Sequence, residues 1–175
     1  MSCIYKAWQA VPDLPPVFGS ASVIHDQESL AIVLQRPREV GAPFEKALWI
    51  RFQRVMAYSV HEEFSHPWID RPTTERQGMP LSDGKYFPCL IVDPSPWIAS
   101  LSEARRIGWN GLSHYFFLTY DYQIDVLTDS VPTAEWGEAE DIRVNLEKKF
   151  PVKEHPYLAR ELTDQWNRLE GFGTE

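Results

Sequence analysis

Between Leu48 and His61 the chain alternates with a period of two, and no other feature constrains its fold so strongly. Leu48, Ile50, Phe52, Met56, Tyr58 and Val60 fall on one parity, and Arg51, Gln53, Ser59 and His61 on the other. Successive side chains of a strand point to opposite faces, so this pattern predicts one long half-buried strand or two collinear ones. Arg54 breaks the apolar face, and a bulge, a bend or a sheet edge would place it. The aromatic share of 13%, with seven Trp, also suits a β core.

Further strands follow from the same reasoning. Residues 21–25 and 30–35 are β-prone runs joined by Asp26-Gln27-Glu28-Ser29, which reads as a hairpin. The second run is apolar on both parities, as expected of a strand buried on both sides. Residues 115–127 alternate again, with a turn near Asp121-Tyr122. Asp-Tyr is poor chemistry for a two-residue turn, so a longer one is equally compatible. Residues 86–92 form a strand candidate that Pro88 assigns to an edge, and Ile142, Val144 and Leu146 alternate in a short one. Residues 61–86 read as a long polar surface excursion. Residues 1–19, with Pro12, Pro15 and Pro16, read as an extended lead-in.

Two helices are expected. Ser95 suits an N-cap and Pro96 the first helical position, so a helix starts there, carries Trp97 and Leu101, and ends near Gly108. Leu158, Leu162, Trp166 and Leu169 recur at helical spacing, which predicts a C-terminal helix over 156–170 closed by Gly171. Together these elements give an α+β fold. It is mainly antiparallel β, a sandwich or a curled sheet, with one short helix and a C-terminal helix, in a single domain over 1–175.

Charge excludes several function classes. Twenty-five acidic against seventeen basic residues leave a net charge of -8, which repels phosphate backbones and anionic lipid. Neither nucleic acid nor a membrane is an expected partner. The start Met1–Lys6 lacks the apolar stretch of a secretory signal, and no apolar run nears the roughly 18 residues that span a bilayer. A cytoplasmic location is the resulting expectation. Cys3 and Cys89 fit two free thiols of a reducing compartment, although one bridge is compatible with the sequence.

Motifs of catalysis are missing from the sequence. His61-Glu62-Glu63-Phe64-Ser65-His66 resembles a zinc protease motif, but its histidines are five apart rather than four. That spacing separates them on a helix and on a strand alike, so no metal is assigned. There is no G-x-S-x-G elbow, no GxGxxG and no phosphate loop, hence no cofactor. His114 opens a strand beside aromatic residues, where a half-buried, hydrogen-bonded imidazole is the ordinary case. Asp121 and Asp125 would serve acid–base chemistry if a turn paired them, and solvated strand-end carboxylates are the plainer reading.

One distribution stands apart. No Lys or Arg occurs between Arg106 and Arg143, while Asp121, Asp125, Asp129, Glu135, Glu138, Glu140 and Asp141 all do. Trp136 sits among them. An aromatic anchor within an acidic rim suits a basic protein partner, against the plainer reading of a solvated acidic loop. The expected function is therefore a non-enzymatic protein-binding module of the immunity or adaptor kind. The rival is a small-ligand binder or enzyme with a pocket between sheet and helix, lined by His61, His66 or His114. The sequence leaves the oligomeric state open.

Three stretches carry a resemblance. Leu48-Trp49-Ile50-Arg51-Phe52 with Ala57-Tyr58, then Asp93-Pro94-Ser95-Pro96-Trp97, then His114-Tyr115-Phe116-Phe117 with Ile124-Asp125-Val126-Leu127 resemble a group of small uncharacterised bacterial proteins. The resemblance implies a bacterial cytosolic origin and transfers no catalytic residue.

Overall fold

A computed structural model describes residues 4–25, 29–37, 46–62 and 79–138. The strands are β1 (Tyr5–Ala7), β2 (Ser20–His25), β3 (Leu30–Gln35), β4 (Lys46–Phe52), β5 (Val55–Glu62), β6 (Leu81–Ser82), β7 (Lys85–Tyr86), β8 (Cys89–Val92), β9 (Ser113–Leu118), β10 (Tyr122–Thr128) and β11 (Thr133–Glu138). Two short helices, α1 (Pro96–Ser100) and α2 (Glu103–Arg106), lie between β8 and β9. The strands form a five-stranded sheet in the order β1-β8-β9-β10-β5, a four-stranded sheet in the order β11-β4-β3-β2, and the hairpin β6-β7. The pairs β1–β8, β8–β9, β9–β10, β10–β5, β2–β3 and β6–β7 are antiparallel.

The chain divides into two compact units: residues 1–37 with 48–135, and residues 38–47 with 136–175. Of the second unit only Lys46, Ala47 and Trp136–Glu138 are described. The expected C-terminal helix over 156–170 and the short strand over 142–146 fall outside the described residues.

In the first unit, the strand register fixes which side chains share a face. Phe117 lies opposite Ile124 and Cys89, and Tyr115 opposite Val126 and Ile91. On this face Phe52 of β4 meets Tyr115 and Phe117 edge-on, with ring centroids 5.6 and 6.1 Å apart. Trp8 packs against the same two rings. Edge-to-face contacts of this kind add to the area the rings bury. The opposite face carries Phe116 beside Leu90, and a second apolar cluster of Tyr5, Met79, Leu90, Val92 and Phe116 forms there. Strands β9 and β10 are thus covered on both faces.

Several elements differ from those expected of the sequence. The alternating run 48–61 is not one strand or two collinear ones. It breaks at Gln53-Arg54, and its halves belong to different sheets. Arg54 sits at that crossover, where Thr128 Oγ1 donates to its carbonyl. Strand β4 is buried on both parities except at Lys46 and Arg51. On β5 the expected polarity is reversed: Tyr58 and Val60 are exposed while Ser59 and His61 are half-buried. The N-terminal lead-in contains β1, which pairs with β8 and removes β8 from the edge that Pro88 suggested. The expected helix from Pro96 to Gly108 is two helices, because Leu101 leaves helical geometry and Ser102 caps α2 anew. Within the polar excursion, Asp83 and Gly84 both adopt positive φ, the geometry of a tight hairpin turn that an Asp-Gly pair favours.

Other expectations hold. The hairpin β2–β3, the two-sided burial of β3, the β9–β10 hairpin and the Ser95-Pro96 helix start are all present. The β9–β10 turn is the longer kind: Thr119 N–H and Oγ1 both donate to Tyr122 C=O, at 2.9 and 3.0 Å.

Candidate functional site

The second face of the five-stranded sheet holds a buried polar chain. Ser95, the N-cap of α1, accepts from Ile98 N–H at 3.1 Å and lies 2.9 Å from His114 Nδ1. His114 Nε2 lies 2.7 Å from Asp125 Oδ1. His114 and Asp125 are diagonal neighbours across β9–β10, since Asp125 opposes Phe116 two residues along from His114. Trp97, the second residue of α1, closes over the imidazole edge-on at 5.7 Å. Across the sheet, Ser59 opposes Asp125 and His61 opposes Gln123, and Ser59 hydroxyl and His61 Nε2 hydrogen-bond to each other.

The donors and acceptors of this chain close. With the proton on Nε2, His114 donates to the Asp125 carboxylate. Ser95 then donates its hydroxyl proton to Nδ1 and receives Ile98 N–H on its oxygen. Buried polar groups persist when each has its partner, and these do.

Serine, histidine and aspartate in a row invite comparison with acyl-transfer chemistry. That chemistry needs a serine oxygen open to substrate and free donors for an oxyanion. Here His114 is 4% and Asp125 2% exposed, and Ser95 is buried with its oxygen engaged by a helix N–H. The array is sealed, and its physical effect is to pin α1 to the sheet. His114 fulfils the expectation of a hydrogen-bonded imidazole, more deeply buried than foreseen.

The acidic residues singled out from sequence disperse. Asp121 is exposed in the β9–β10 turn. Asp125 is interior, which corrects its reading as a solvated strand-end carboxylate and removes it from any partner surface. Asp129 has a buried side chain held by Arg54 Nη1 at 2.9 Å and by Asn110 N–H at 3.3 Å, so it too is removed. Glu135 is exposed and pairs with Arg51 at 3.0 Å, Glu138 is exposed 4.0 Å from Lys46, and Trp136 is half-buried. Glu140, Asp141 and His66 lie outside the described residues. The expected one-sided potential is therefore reduced, because β4 and the residues after it bring Lys46, Arg51 and Arg54 against these acids. That neutralisation is non-local and left no trace in the 106–143 window.

Cys89 is a free thiol on the inner face, and burial pushes its pKa far above the usual thiol range. Burial likewise raises that of Tyr115. Cys3 lies outside the described residues. Among the described residues no three metal-ligating side chains gather, and no helix is long and apolar enough to cross a membrane.

The sequence marks Ser95 as a cap and His114 as a half-buried, hydrogen-bonded imidazole, but not their contact. Ser59 was missed. The available signal was Asp125 itself, a carboxylate between Ile124 and Val126 in the middle of a β run. No family model, curated protein or solved structure matches this chain.

Proposed function

We propose that this chain is a non-enzymatic protein-binding module whose acidic strand β11 meets a basic partner. The supporting observation is that Glu135 and Glu138 are exposed on β11, the end strand of the four-stranded sheet among the described residues. Their ion pairs with Arg51 and Lys46 are water-exposed. Such pairs contribute only about 0–1 kcal/mol, so a partner's Lys or Arg displaces them readily. An outer strand also offers backbone groups to an extended basic segment. Trp136, half-buried on the same strand, is its aromatic anchor.

The rival reading, a ligand pocket lined by His61, His66 and His114, draws no support from His114, whose ring nitrogens are both engaged. The binding reading is tested by quantitative capture from host extract over a salt series. Replacing Glu135→Gln together with Glu138→Gln removes two exposed contacts of about 0.5–1 kcal/mol each, so partner affinity should fall roughly fivefold to thirtyfold. Capture that is independent of salt and unchanged in the double variant refutes it.

A further inference from the structure

Strand β5 lies at one end of the five-stranded sheet, and among the described residues it pairs with β10 alone. The ladder decides which of its backbone groups are left over. Leu118 N–H donates to Pro88 C=O and Thr119 N–H to Tyr122 C=O, both at 2.9 Å. Even-numbered residues of β9 therefore turn their backbone groups to β8, and odd-numbered ones to β10. Hydrogen-bonded pairs alternate along an antiparallel ladder. Ile124 and Val126, opposite Phe117 and Tyr115, thus bond to β9, while Gln123 and Asp125 bond to His61 and Ser59 of β5. Tyr58 and Val60 alternate with these, so their N–H and C=O groups point away from the sheet.

The same two residues carry side chains that the core leaves uncovered. They oppose Val126 and Ile124, on the face where Phe52 meets Tyr115 and Phe117, yet they are 38% and 43% exposed. The Tyr58 ring meets His25, the last residue of β2, edge-on at 5.2 Å. End strands are ordinarily guarded against pairing by short length, by Lys or Pro, or by an inward charge. Strand β1, at the other end of the sheet, has 3 residues and carries Lys6. Strand β5 has 8 residues with no Lys, Arg or Pro, and its acidic or basic groups, His61 and Glu62, stand at its last two positions. The irregularity in its ladder lies near Val55, clear of Tyr58 and Val60.

We propose that β5 pairs with β5 of a second copy of this chain, antiparallel, about a two-fold axis at Ser59. In that register Tyr58 of each copy lies opposite Val60 of the other, as a two-fold requires. Their outward backbone groups close about four hydrogen bonds, and each Tyr–Val pair is a favourable aromatic–β-branched contact. Ala57 then faces His61 and Met56 faces Glu62, so no like charges meet. The two Glu62 carboxylates stand about 20 Å apart at roughly 3.4 Å per residue, well beyond the Debye length of about 8 Å. The net charge of -8 on each copy is therefore weakly felt along this line. Charge also selects the occupant. From Val55 to Val60 no charged side chain is present to hold an acidic or basic segment of another protein, whereas a second copy supplies a neutral strand in matching register. The contact is smaller than the roughly 1,200 Å² of a standard interface, so the dimer is weak, with dissociation at about 10–100 μM. The inference is independent of β11 and its partner.

The test is sedimentation velocity of the full chain over roughly 1–300 μM, a range that brackets such a dissociation constant. Wild type should pass from monomer to dimer. Tyr58→Lys/Val60→Lys sets Lys against Lys across the axis, and Tyr58→Glu/Val60→Glu sets Glu against Glu, so each should weaken the dimer at least about tenfold. An equimolar mixture of the two variants should dimerise again, because every pair is then Lys with Glu; that recovery also shows both to be folded. In a Cys3→Ser background, Ser59→Cys should form an interchain disulfide on mild oxidation, since the axis brings the two Cβ atoms to about 4.5–5.5 Å. A wild type that stays monomeric overturns the proposal, whether β5 is then covered by residues 63–78 of its own copy or by another protein. So does a dimer unchanged in both charged variants, a mixture that stays monomeric, or a disulfide that forms through Tyr58→Cys and not through Ser59→Cys.

Discussion

Replacing Ser95→Ala tests whether the buried array pins α1 to the sheet. The serine oxygen serves twice, accepting Ile98 N–H at 3.1 Å and meeting His114 Nδ1 at 2.9 Å. Loss of the cap alone costs about 1 kcal/mol. Loss of the hydroxyl donor leaves a buried imidazole nitrogen without a partner, which costs a further 1–3 kcal/mol or so. The total is roughly 2–4 kcal/mol, and with a urea slope near 2 kcal/mol per molar the midpoint falls by about 1–2 M. The fold supplies its own control. Ser102 caps α2 in the same manner, through Arg105 N–H at 3.4 Å, but it is exposed and touches no imidazole. Ser102→Ala should cost about 0.5–1 kcal/mol, the low end for a cap. Urea unfolding of both variants, followed by Trp fluorescence and far-UV circular dichroism, separates the two effects. If Ser95→Ala costs no more than Ser102→Ala, the array contributes nothing beyond a cap and the reasoning fails.

Two more outcomes follow from buried groups. In a Cys3→Ser background Cys89 should resist thiol reagents at pH 8 in the folded protein and react on unfolding. The reactive species is the thiolate, and burial holds its pKa far above that pH; rapid labelling of folded protein would contradict this. Arg54→Lys should accelerate amide hydrogen exchange over 107–110 and destabilise the protein by about 1–3 kcal/mol. A lysine cannot donate to Asp129 and Gly108 while stacking on Trp109; unchanged exchange in that segment would show that Arg54 does not organise it.

Local rules made a good part of this fold legible. Period-two patterning located β9 and β10, a run apolar on both parities located β3, and Ser95-Pro96 marked a helix start because capping and the fixed φ of proline act within one turn. Asp83-Gly84 carried a hairpin signal of the same local kind, which the polar composition around it obscured.

What required tertiary structure was everything set by a distant partner. Periodicity reports that residues alternate, not which sheet receives them, so the run 48–61 gave no sign of its crossover at Gln53-Arg54. Nor does it say which parity turns inward. Ser59 and His61 lie beside Asp125 and Gln123 of β10 on one face of the sheet, while Tyr58 and Val60 are left exposed on the outermost strand of their sheet. Charge summed along the chain marked 106–143 as acidic, but electrostatics acts through space. Lys46, Arg51 and Arg54 reach those acids from β4 and the crossover after it, far away in sequence, and Asp125 leaves the surface for an imidazole on its neighbour. The sequence by itself determined the β character and the helix start. The tertiary structure decided which charges remain to be offered, because only strand pairing brings the offsetting groups within a few ångströms.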